Sequence, residues 1–235
     1  NTMDLILSFF FFFFAFNENS PLLFTQFYFW AFFAIVFAIF SLIHSKRLLR
    51  NTFLFIVSLF FYYKTSGLFV LLLIFATISD FFIAKLVYRS DKELHRKLFI
   101  GLSICINLLV LNYFKYSYFF IDLVNSLFGT TFQVYDYFAT IGNAITGSNR
   151  FSVDQIILPV GISFYTFQTI SYTMDVYRRR IAPVKNILDY GFYVSFFPQL
   201  VAGPIVRAAE FIPQVYKPYF LGRRQFGIAI FWILN

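Results

Sequence analysis

Gly161, Tyr165, Gln168, Tyr172 and Asp175 recur at spacings of four, three, four and three. At 100° per residue of an α-helix they fall within one sector of about 80°. The stretch that carries them, Ile156–Val176, is otherwise largely apolar and predicts a membrane-depth helix. Polar groups at that depth are costly and face a cavity or a protein interior rather than lipid. A stripe holding an amide, two phenols and a carboxylate therefore faces inward, with Gly161 permitting the close approach of a neighbour. Such a stripe serves as hydrogen-bonding glue between helices, as the wall of a polar tunnel, or as both.

Other candidate groups have simpler readings. Asp175 directly precedes Arg178–Arg180, so an ion pair at the interface is its first expected role and general-base chemistry its second. Gln199, beside Pro198, offers a neutral donor and acceptor at depth, suited to backbone groups freed by a helix break. Lys115, near the end of an apolar run, is expected to snorkel to the interface. His44 and His95 sit in basic loops and read as solvated residues, and Cys105 in its apolar run reads as a small core residue. A single cysteine excludes an internal disulfide, and no His, Cys and carboxylate spacing suggests a metal site. GxSxG, P-loop and GxGxxG motifs are absent, so the sequence carries no complete catalytic constellation.

The elements that position these residues follow from composition. Of 235 residues 60% are hydrophobic and 13% charged, about half the charge of an ordinary soluble domain. The expected fold is an all-α polytopic membrane protein, a single transmembrane domain over residues 1–235. Apolar runs lie at Leu5–Phe16, Leu22–Ile43, Thr52–Tyr63, Leu68–Val87, Leu98–Leu123, Ile156–Val176, Tyr190–Val206 and from Phe226 onward. The Phe9–Phe14 hexamer reads as part of a first helix or an interfacial segment.

Lysine and arginine set the expected topology. They cluster in His44–Arg50, Arg89–Lys97 and Arg178–Lys185, which the positive-inside rule places on the cytoplasmic face. Residues 177–189 then form a cytoplasmic basic loop, and residues 125–154 an external loop with one interfacial helix. A full crossing by Tyr190–Val206 would export Arg207, Lys217, Arg223 and Arg224. Pro198, Gly203 and Pro204 also interrupt helix hydrogen bonding, so a re-entrant or broken segment is expected around Pro198–Pro204. The net charge of +8 is spread among loops without one basic face, which argues against nucleic acid as a partner. The chain starts at Asn1 and its last residues, FGIAIFWILN, stop within an apolar run too short to span, which predicts a piece of a longer protein.

Leu158–Tyr177 (LPVGISFYTFQTISYTMDVY) and Tyr193–Arg207 (YVSFFPQLVAGPIVR) resemble the membrane-bound O-acyltransferase (MBOAT) family. The likeness is to its bacterial branch, which holds the alginate O-acetyltransferase membrane subunit and the teichoic-acid D-alanyl transferase. Leu108–Phe120, Ser58–Tyr63 and Leu68–Asp80 share it. The resemblance implies an MBOAT-like helical bundle in a bacterial inner membrane that passes an acyl group from a cytoplasmic donor, acetyl-CoA or an acyl carrier, to an external hydroxyl. No bound cofactor or metal is implied. The acceptor would be an exported or cell-envelope polysaccharide, or a periplasmic acyl-acceptor protein. Ser163, Tyr165, Gln168 and Tyr172 are then implied as tunnel lining, with Asp175, Gln199, Gly203 and Pro204 along the path. The family's base is a histidine in a later tryptophan- and arginine-containing motif, expected beyond Asn235. Neither His44 nor His95 matches it, so this stretch alone is expected to be inactive. The same polar stripe and broken segment would also suit a transporter or flippase, and a non-catalytic membrane scaffold is a third class.

Overall fold

The computed structural model describes residues 27–147, 152–219 and 222–234. The Leu5–Phe16 run, the Phe9–Phe14 hexamer and Arg150 lie outside them. Every regular element among the described residues is helical. Helix α1 spans Phe27–Ile43, α2 Arg47–Ser66, α3 Val70–Arg89 and α4 Glu93–Leu111. A π-helical turn, Asn112–Tyr116, carries α4 directly into α5, Ser117–Phe128. Then follow α6 (Tyr137–Thr146), α7 (Ile162–Tyr177), α8 (Ile187–Ser195), α9 (Phe197–Ala202), α10 (Ala208–Tyr216) and α11 (Arg223–Leu234).

Two stretches, Arg47–Arg89 and Glu93–Phe128, are long and apolar enough to cross a membrane, and Phe29–Ile43 is a shorter apolar helix. The first stretch folds back on itself. Gly67, at φ 60° and ψ −134°, ends α2, and a 3₁₀ turn over Gly67–Phe69 starts α3 in the opposite direction. Each limb has 20 residues, about 30 Å of helix, the thickness of a hydrocarbon core. Large apolar side chains stay exposed along these limbs, Ile56, Leu71, Phe75 and Phe82 among them, and on α4 at Leu109, as a lipid-facing surface requires. The chain is an all-α membrane protein.

Inside, α3 packs on α4 and α7, and α2 packs on α8. The main core joins Tyr62, Leu73, Phe81, Leu111, Phe114, Ile162 and the tyrosines of α7 and α8. A second cluster of Phe29, Phe32, Phe61 and Phe197 ties α1 and α9 to α2.

The basic loops gather at one end. Arg96 donates to the carbonyl of Tyr177, and Arg179 lies over the ring of Tyr88. Lys85 donates to the carbonyl of Lys185, and Arg50 donates to the carbonyls of Val215 and Lys217. That last contact shows the course of the broken segment. α8 leaves this basic end beside Asn51, and α9 reaches Gly161 at the far end of α7. α10 then returns to Arg50. The break is at Phe196, whose ψ of 105° is not helical, and Pro198 sits in the first turn of α9, where a missing N–H costs nothing.

One boundary corrects the sequence reading. The helix expected over Ile156–Val176 begins only at Ile162. Pro159 biases Leu158 toward extended backbone, and Gly161 takes the left-handed conformation at φ 73° just before the first turn. Apolarity alone hid that start.

Candidate functional site

The inward face of α7 meets α2 and α8 along a column of buried polar side chains. Tyr165, Gln168, Tyr172 and Asp175 are all buried on it. From Tyr165 to Asp175 the helix rises about 15 Å. At the basic end Asp175 lies 3.5 Å from Arg180, which is half exposed. Arg178 and Arg179 are not its partners in the ion pair.

One turn deeper, the Tyr172 hydroxyl accepts from the Val184 N–H at 3.0 Å, and its ring packs 4.4 Å from that of Tyr190. Gln168 next donates its amide to the Tyr193 carbonyl at 2.8 Å. That carbonyl sits near the end of α8, so Gln168 satisfies a backbone acceptor released by the break at Phe196. The Tyr193 hydroxyl donates to the Val206 carbonyl at 3.1 Å, holding the strand of chain that returns from α9. At the far end Tyr165 meets Tyr62 edge-on, with centroids 6.5 Å apart. Tyr62 donates to the Val160 carbonyl at 2.8 Å, and the Val160 N–H donates to Ser66. Five fully buried tyrosines, Tyr62, Tyr165, Tyr172, Tyr190 and Tyr193, thus line one column through the bundle.

Several hydroxyls beside the column have no hydrogen-bond partner among the described residues: Ser58, Thr166, Tyr190 and Ser195. Gln199 Oε1 is in the same condition. Ser58 and Ser195 belong to the α2–α8 contact. Asn51 bonds Asp189 and Phe55 abuts Gly191, so both serines lie one turn further along the same two faces.

The remaining sequence candidates are more dispersed. Ser163 lies about 160° from Tyr165 around α7 and accepts from Lys115 Nζ at 3.1 Å. Lys115 is exposed, so its ammonium reaches the far end of α7. Gly203 is extended backbone at φ −139°, and Pro204 is exposed on the returning strand. Cys105 is exposed rather than a core residue, because it points from α4 toward the medium. Among the described residues no group of His, Cys, Asp and Glu is arranged to hold a metal ion.

A second polar cluster escaped the sequence reading. Asp80 of α3 is fully buried. It accepts from Ser103 Oγ at 2.5 Å and from Asn107 Nδ2 at 2.7 Å, both on α4. Asn107 in turn accepts from Thr169 Oγ1 at 3.0 Å, which brings in α7 next to Gln168. A carboxylate inside an apolar helix was itself a signal. Its partners, 23 and 27 residues away on another helix, were not legible.

At the basic end Arg50 and Asn51 form a clasp. Arg50 Nη2 donates to the Val215 carbonyl at 2.6 Å, Nη1 to Lys217 at 3.3 Å, and Nε to Asn51 Oδ1 at 3.2 Å. Arg47 lies over the Tyr216 ring. Burial pushes the Tyr216 phenol up to about 12, and the nearby Asp189 carboxylate adds to the rise.

Sequence comparison connects this arrangement to known proteins. The chain is 34% identical over 168 residues to the probable alginate O-acetylase AlgI of Pseudomonas aeruginosa, covering 70% of this chain and 29% of that protein. It is 29% identical over 220 residues to the peptidoglycan O-acetyltransferase of Helicobacter pylori, covering 80% of this chain and 38% of that protein. A probable alginate O-acetylase AlgI of Azotobacter vinelandii is 38% identical over 113 residues, 48% of this chain and 20% of that protein. The chain thus spans about a third of the length of the first two relatives. No family model matches it, and no solved structure does. By its similarity to these O-acetyltransferases over most of its length, the chain belongs to the membrane-bound O-acyltransferase family.

Proposed function

We propose that this chain is part of a membrane O-acetyltransferase acting on a cell-envelope polysaccharide. The column from Asp175 to Tyr62, together with the names of the relatives, carries this reading. The protein crosses a bacterial inner membrane several times, with the basic end in the cytoplasm. Acetyl-CoA or an acyl carrier delivers the acyl group there, and the acceptor hydroxyl waits at the other end. Membrane lipid surrounds the bundle. An envelope protein can present the acceptor.

In the transfer the hydroxyl oxygen forms a bond to the acyl carbon. The bond from that carbon to the donor's leaving group breaks, and the hydroxyl proton passes by way of a base to the leaving group. The base is a histidine outside this stretch. His44, which touches the Ser41 carbonyl and the Tyr219 ring, and His95, exposed at the start of α4, both stand away from the column. This chain supplies the path. Its unpaired Ser58, Tyr190 and Ser195 hydroxyls are donors for a passing acyl carbonyl, and the tyrosine rings give the acyl carbons an apolar wall.

Full-length protein in vesicles, given labelled acetyl donor on the basic side and polysaccharide on the other, tests the reading. Labelled ester on the polysaccharide is the expected result. Polysaccharide that moves without consuming the donor would instead make the protein a transporter, and neither event would leave a scaffold.

A further inference from the structure

The far side of the bundle, away from the polar column, carries an open groove of about 530 Å³. Leu109, Val110, Phe120 and Ile121 form its length, and Phe138 of α6 covers part of it. From Leu109 to Ile121 the helix rises about 18 Å. One leaflet of a ~30 Å hydrocarbon core is about 15 Å deep, so the groove is as long as one lipid tail.

Two of its three polar lining residues, Tyr113 and Ser117, are spent elsewhere. Tyr113 donates to Asp136 Oδ1 at 2.9 Å and accepts from the Tyr137 N–H at 2.9 Å, and Ser117 donates to the Tyr113 carbonyl. The groove therefore offers mainly carbon to whatever enters it, with the Asn112 amide as its remaining polar group. Those same bonds make it preformed. Asp136 caps α6 through the N–H groups of Phe138 and Ala139, so Tyr113, at the π turn, fixes α6 over the groove. A π turn inserts a residue into the helix and opens its surface locally. The walls belong to the apolar stretch Glu93–Phe128, most of which the protein does not bury, and Leu109, Phe120 and Phe138 are exposed. Exposed apolar walls of this kind suit hydrocarbon as the medium against them.

We propose that this groove is a binding site for one acyl chain of a bilayer phospholipid, held by α4, α5 and α6. The site is independent of acyl transfer and shares no residue with the column. A flat helix face exchanges lipid freely, whereas a preformed groove partly covered by Phe138 retains one chain.

Native mass spectrometry of the full-length protein, purified in mild detergent and stripped by extended washing, counts retained phospholipid. Ser117→Phe and, separately, Val110→Phe fill the groove. Leu127→Phe, on the exposed face but outside the groove, is the control. One phospholipid retained by the wild type and the control, with about a tenfold loss in both filled variants, is expected. Size-exclusion profiles identify any variant that fails to fold, and the other variant then decides. Equal retention in all proteins, or none in the wild type, would overturn the proposal. Esterification of polysaccharide is not read here, so a failed acetyl-transfer assay leaves this result intact.

Discussion

Asn51 donates its side-chain amide to the carboxylate of Asp189 at 2.8 Å, across 138 residues of sequence, with both groups buried. This bond fixes the register of α2 against α8, and with it the depth of the broken segment. Asn51→Ala leaves the carboxylate short of a donor and is expected to cost about 1–3 kcal/mol. Asn51→Asp sets two carboxylates together and should be worse. Thermal unfolding of the detergent-solubilised protein checks both. An Asp variant at least as stable as the Ala variant would show that the pair does not set the register.

Two glycines are expected to respond to alanine in different ways. A Cβ on Gly191 would lie 2.6 Å from the ring of Phe55, a side chain that a second substitution can shorten. One on Gly161 would lie 2.5 Å from the backbone carbonyl of Leu200, at a φ of +73° that L residues avoid. Gly191→Ala should cost about 1–3 kcal/mol and be largely rescued by Phe55→Leu. Gly161→Ala should cost more and gain nothing from Leu200→Ala. Unfolding midpoints of the two double-mutant cycles test the contrast.

Asp80 should tolerate an amide better than a hydrocarbon. In Asp80→Asn the new side-chain oxygen keeps the Asn107 donor, and its amide donates to the Ser103 hydroxyl, which accepts instead of donating, so Asn107 keeps its bonds to the Ser103 carbonyl and to Thr169. Asp80→Leu strands both donors in the core, at about 1–3 kcal/mol each. The folded, monodisperse yield should therefore be near wild type for Asn and much reduced for Leu. The reverse order would mean that the carboxylate charge, rather than its acceptors, holds the helices.

Arg50→Lys removes the fork that spans the Val215 and Lys217 carbonyls. Amide hydrogen exchange is expected to quicken in residues 208–217 while α3 and α4 keep wild-type protection. Uniform protection in all three would show that the returning chain is held by its apolar contacts alone.

Spacing made part of this legible. The three-and-four repeat of Tyr165, Gln168, Tyr172 and Asp175 needs only helical geometry, and the structure buries all four on one face. The break around Pro198 was written in residues that cannot continue a helix, although Phe196 is where the backbone turns. What spacing could not supply was partnership across the bundle. Nothing local tells that Lys115 reaches Ser163, that Asp80 shares its oxygens with Ser103 and Asn107, or that Asn112–Tyr116 widens into a π turn. Ser163 shows the cost, since a motif that names a residue says nothing of which way it points.

The Arg50 clasp also settles a question of parity. Residues 187–217 enter the bundle and come back, so they add an even number of passes, and Lys217 finishes on the side from which α2 departs. A reporter inserted after Lys217 would share its compartment with one placed before Arg47 or between Arg89 and Glu93. Counting apolar runs would have assigned it to the opposite compartment.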